Sequence, residues 1–167
     1  DRAAVLDLVK ELESHPGDST RHLTVKVGLR RLLSQPGVFK ALPSDAYSAA
    51  EVVLAVSNGD ASQWLWRMEE SGSRPSSAHS KVLGHISRHG DDRLLQTAIH
   101  KAHASAGESS VVVQLERIQA IHNGLSERGV PPNPELLQWA QELATQLLTQ
   151  TDKQPESAWI SAATADN

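Results

Sequence analysis

Apolar residues along this chain mostly recur at i, i+3, i+4 and i+7, the spacing that gathers side chains on one face of an α-helix. Val5, Leu8, Val9 and Leu12 keep that spacing and predict a first helix from about Arg2 to Ser14, capped by Asp1 and stopped by His15-Pro16-Gly17. A second helix is predicted from Thr20 to Ser34, behind a cap at Asp18 or Ser19. Its pattern is mixed. Leu23, Val25, Val27 and Leu29 alternate as in a strand, whereas Val25, Leu29 and Leu32 fit a helix. No partner strand is evident elsewhere, and a lone strand is not stable, so the segment reads as helix.

Gln35-Pro36-Gly37 is a turn, after which Ser44 is expected to cap a third helix to about Ser57 through Ala46, Ala49, Ala50, Val53 and Leu54. The fourth, Ala61 to Ser71, carries Ala61, Trp64, Leu65 and Met68. The fifth, Ser77 to His89, carries His79, Val82, Leu83 and Ile86, and the sixth, Asp92 to Ala106, carries Leu95, Ala98, Ile99 and Ala102. A seventh runs from Ser110 to Arg128 through Val111, Leu115, Ile118, Ile121 and Leu125, although its β-branched opening, Val111-Val112-Val113, is a poor helix former. After Gly129-Val130-Pro131-Pro132, Asn133 caps an eighth helix with Pro134 at its first position and a buried stripe of Leu137, Ala140, Ala144 and Leu147. The expected fold class is all-α: about eight amphipathic helices in antiparallel hairpins, stacked as a short solenoid or an irregular bundle. Residues 1–150 read as one helical-hairpin domain. Residues 151–167 are polar and unpatterned and read as a tail, in which Trp159 and Ile160 are candidates for contact with a partner.

A repeat underlies the pattern. Gly59-Asp60 recurs as Gly90-Asp91, 31 residues later, and each pair separates two amphipathic helices. Ala61, Trp64, Leu65, Met68, Gly72 and Pro75 form an A-x-x-W-L-x-x-M-x-x-x-G-x-x-P string. That string resembles the second helix and closing turn of a pentatricopeptide repeat, with Tyr47 where that family often has Tyr and with Gly129 and Pro131 or Pro132 as another such close. The resemblance implies a stack of helical hairpins that binds single-stranded RNA in mitochondria or chloroplasts. The sequence also departs from the family. The Gly59 to Met68 spacing is short, the second unit lacks the Met and the Gly-x-x-Pro close, and the base-selecting places fall at Ala49 and Val82. Neither side chain can hydrogen-bond a base edge, and the partner position falls near Ser77.

Charge changes the picture next. Between Ser19 and Ser44 there are five basic residues (Arg21, Lys26, Arg30, Arg31 and Lys40) and no acid, so a net charge of −4 leaves −9 on the rest of the chain. These five are the candidate nucleic-acid contacts, and with no aromatic platform near the basic second helix the contact there would be to phosphate rather than to bases. A solvated helix face is the plainer reading of the same charges.

The remaining chemistry is thin. With 167 residues and 39% hydrophobic content, the chain can bury a real core. It has no Cys, which excludes disulfides, thiol catalysis and cysteine metal sites. No apolar run of about 18 residues predicts a membrane span. His85 with His89, and His100 with His103, have spacings that can hold a metal, but no Glu follows His85 as a zincin would require. No metal or cofactor is expected. Gly17-Asp18-Ser19 resembles the opening of a lipase-like hydrolase block, but it follows a helix and is explained as a cap. No catalytic residue is assigned. The chain begins at Asp1, which suggests a processed form or a fragment. The expectation is a non-catalytic interaction module: an accessory subunit of an organellar ribonucleoprotein that touches the RNA backbone. A purely protein-binding scaffold is the alternative, and a His-ligated metal or pigment protein the remote one.

Overall fold

A computed structural model describes residues 2–14, 19–71 and 76–151. Eight α-helices and no strand occur among them: α1 (Arg2–Ser14), α2 (Ser19–Leu33), α3 (Ala50–Leu54), α4 (Gly59–Glu70), α5 (Ser76–His89), α6 (Asp92–Ala104), α7 (Val111–Arg128) and α8 (Pro134–Thr151). The fold is all-α. Side-chain caps form at three helix starts, of which the one at Asn133 is the one expected from sequence. Asn58 Oδ1 accepts from Ala61 N–H at 2.8 Å, Asp91 Oδ1 from Leu94 N–H at 2.7 Å, and Asn133 Oδ1 from Leu136 N–H at 2.8 Å. Each satisfies a backbone donor that the first turn leaves open. Gly129 closes α7 with φ +72°, a left-handed conformation that glycine adopts without a Cβ clash.

Neighbouring helices pack as hairpins. The α5–α6 pair then stacks on the α7–α8 pair, with α5 against α7 and α6 against α8, while α4 also packs on α5. The core runs through all of them. Val5, Leu29, Ala49, Trp64, Leu65, Met68, Ile86, Ile99, Ile121 and Trp139 are buried. The α5–α7 seam is the closest approach. A Cβ on Gly124 would lie 2.6 Å from the Gly84 carbonyl oxygen and 2.7 Å from Ser87 Cβ. Two glycines therefore let two backbones meet, and a larger residue at 124 would force them apart.

Four sequence expectations are corrected. The third helix is far shorter than Ser44–Ser57. Residues 43–46 form a turn, closed by Ala46 N–H to the Pro43 carbonyl at 3.3 Å, and Tyr47–Ala49 is a single 3-10 turn before α3. Trp64 Nε1 donates to the same Pro43 carbonyl at 3.0 Å, which ties the turn to α4. β-branched Val52, Val53 and Val56 are weak helix formers and add little to hold a longer one. The sixth helix stops at Ala104, and residues 106–108 form a 3-10 turn. In α8 the buried stripe is Leu136, Trp139 and Leu143, one position away from the expected one. Leu137 and Leu147 are exposed. The indole of Trp139 fixes the rotation, because it is the largest apolar group on the helix and stacks on His103 with ring centroids 5.5 Å apart. In the first half of α7, Gln114 and Arg117 are buried while Leu115 is exposed. Gln114 accepts from Trp139 Nε1 at 3.3 Å and donates to the Ser109 carbonyl at 3.2 Å, so a polar side chain holds an inward position by satisfying two partners.

Candidate functional site

The second helix carries the candidate site. As an α-helix it turns the alternation at residues 23–29 into two opposite faces, because positions two apart point about 200° apart. Val25 and Leu29 face the core, whereas Leu23 is 64% exposed and Val27 61% exposed, one turn apart on the outside. They line an open groove of about 240 Å³ against Val52 and Ala55 of the α3 region, with Lys26, Arg30 and Glu51 at its edges.

The five basic candidates do not form one patch. Arg21 pairs with Glu11 of α1. Lys26 donates to Glu51 Oε2 at 2.7 Å, and that hydrogen bond, followed by the charges of Lys26, Lys81 and His22, holds the Glu51 carboxyl below the usual carboxylate range. Arg30 and Arg31 lie in the last turn of α2, exposed, where cations also complement the helix dipole. Neither meets a carboxylate within 4 Å among the described residues. Lys40 lines a separate depression with Arg2 and Val38. Trp159 and Ile160 lie outside the described residues, as does the side chain of Ser77.

The positions implied by the pentatricopeptide resemblance are inward. Ala49 and Val82 are both 0% exposed, and Ala61, Trp64, Leu65 and Met68 are core. Tyr47 is partly exposed beside Ser71.

The histidines are occupied by structural partners. His85 Nε2 donates to the Val56 carbonyl at 2.9 Å, so Nδ1 accepts from Ser62 Oγ at 3.1 Å. Burial lowers the His85 pKa and keeps the ring neutral, partly offset by the Val56 bond. Ser62 and His85 stand at the distance of a nucleophile and its base. Ser62 is fully buried and His85 nearly so, so the pair joins α4, α5 and the turn that precedes α4 within the core. His89 lies edge-on to His85 at 4.9 Å. His100 Nδ1 meets Glu135 Oε1 at 2.9 Å and His103 Nε2 meets Glu142 Oε2 at 2.8 Å, so the second pair clasps α6 to α8. His103, then Gln138, holds the Glu142 carboxyl below its usual range. No group of three metal-binding side chains occurs among the described residues.

At one end of the stack, His79 pairs with Glu69 at 2.9 Å, and Arg117 of α7 lies in the field of the same carboxylate. Burial lowers the Arg117 pKa, partly offset by Glu69, and an arginine is basic enough to stay charged nonetheless. No described helix is long and apolar enough to cross a membrane.

Sequence reasoning missed Leu23 and Val27 as a surface feature, although the signal was present. An apolar alternation inside a helix places apolar groups on two sides, and only one side can face a single core. A scan of protein-family models and searches of curated proteins and of solved structures return no match to this chain.

Proposed function

We propose that this protein is a non-catalytic helical-hairpin interaction module that holds a partner protein. One observation carries the reading: Leu23 and Val27 stand exposed one turn apart over an apolar groove on a helix that already buries another face. An isolated exposed Leu is ordinary, whereas two adjacent ones lining a groove with further apolar residues mark an interaction surface. Among the described residues, the buried polar side chains Ser62, His85, Ser87 and Gln114 are paired within the fold.

A second reading keeps the RNA backbone as the partner. It rests on Arg30 and Arg31, exposed cations without a carboxylate neighbour among the described residues. The pentatricopeptide resemblance supports the setting for it, an organellar ribonucleoprotein. The apolar lining beside these arginines favours the protein reading, because phosphate gains nothing from Leu or Val.

A native pull-down divided into nuclease-treated and untreated halves tests the choice. Stoichiometric protein partners that persist after nuclease, and are lost from Leu23→Asp with Val27→Asp, support the protein reading. Partners that vanish with nuclease, and are lost from Arg30→Glu with Arg31→Glu, replace it with the RNA reading.

A further inference from the structure

We propose that the groove between α2 and α3 receives an acidic amphipathic helix of a partner protein. This rests on the interaction-module reading and names the chemistry of its partner. Leu23 and Val27 are separated by one helical turn, about 6 Å along the axis. That is the spacing at which the i±4 ridge of one helix fills the groove of another. No strand edge exists among the described residues to pair with an extended peptide, so a helix-in-groove mode fits what the surface offers.

The charge at the rim selects the partner's sign. Lys26 and Arg30 flank the apolar residues. Lys26 and Glu51 pair with one another at the rim, which leaves Arg30 as its net positive charge, and Glu51 lies in the field of Lys81 and His22 as well. Of the five basic residues between Ser19 and Ser44, Lys26 and Arg30 line this groove, in a chain of net charge −4. An acidic helix is therefore repelled by most of the molecule and attracted here, which favours this site in both encounter and register. No aromatic ring lines the groove to stack a base.

The test is selection from a phage-displayed library of helical peptides against the whole chain. The expected winners carry Leu, Ile, Val or Phe at i and i+3 or i+4, flanked by Asp or Glu. Their affinity should fall at least about tenfold with Leu23→Asp plus Val27→Asp, and also with Lys26→Gln plus Arg30→Gln. Val112→Asp, at an apolar position 65% exposed on α7, should leave affinity unchanged. Circular dichroism would show each variant folded, since residues 23 and 27 contribute little to the core.

Winners insensitive to the Leu23 and Val27 changes would overturn the groove assignment while leaving the interaction-module reading intact. Neutral or basic winners would overturn the acidic partner. A library that yields no binder would overturn both readings. Tighter binding of a U-rich RNA oligomer or of phosphatidylserine vesicles, lost with Lys26→Gln plus Arg30→Gln, would overturn the protein partner.

Discussion

The α5–α7 seam and the α2–α3 groove are both contacts between helices, and they are built oppositely. At the seam, Gly84 and Gly124 remove the side chains that would separate two backbones, leaving no room for a Cβ at position 124. At the groove, Leu23 and Val27 stand outside their own contact and remain open to solvent. The first surface is complete within the chain, whereas the second has exposed apolar area and, at Arg30, a cation that meets no carboxylate within 4 Å among the described residues. Small residues at a crossing thus mark a contact closed by folding. Large apolar residues left exposed along a groove are the surface that the proposed reading assigns to association.

The largest expected effect comes from breaking the seam. Gly124→Val should cost about 3 kcal/mol, because the new Cβ meets backbone that cannot move alone. For a domain of this size that lowers Tm by about 6–12 °C in a thermal melt. A fall of less than about 2 °C would mean the helices do not approach so closely.

His85 sharpens the comparison within the closed half. His85→Leu leaves the Ser62 hydroxyl and the Val56 carbonyl without their imidazole partner, and should cost about 1–3 kcal/mol in urea unfolding. The pH dependence has a definite sign. Burial holds the native His85 pKa below its unfolded value of 6.5. Its contribution is therefore complete above that value and is lost as pH falls, since the unfolded chain then binds the proton first. The wild-type protein should lose more stability than His85→Leu between pH 7.5 and 5.5. Equal losses would show that His85 is not held neutral.

The smallest effect on stability, and the most informative, belongs to the open groove. Leu23→Ser and Val27→Ser should each shift unfolding free energy by less than about 0.5 kcal/mol while removing partner binding. A large loss of stability would mean that these side chains belong to the core.

The fold was legible where the helical spacing was regular. In α4 and α6 the residues read as the buried face are buried, and Asn133 caps α8 as expected, whereas Asn58 and Asp91, read as the ends of the preceding helices, cap α4 and α6. In α8, two overlapping leucine registers competed, and only the contact of Trp139 with α6 decides between them. Gln114 and Arg117 could not be read as buried, because their partners lie on other elements and spacing along one helix does not reveal them. For α3, the run of Ala46, Ala49 and Ala50 looked helical, but the Trp64 bond to Pro43 holds a turn ahead of it. The basic residues of the candidate site were visible as a charge run, whereas their pairing with Glu11 and Glu51 was not. The apolar half of the site was visible in the 23–29 alternation. It took the helical conformation to show that the alternation meant two faces.

Hydrogen–deuterium exchange on the chain alone and on the chain bound to its selected acidic peptide tests the central claim most directly. The account predicts slowed exchange at residues 23–33 and 50–56, with 84–88 and 120–125 unchanged because that seam is already closed. Protection confined to α5 and α7, or spread over all eight helices, would contradict it.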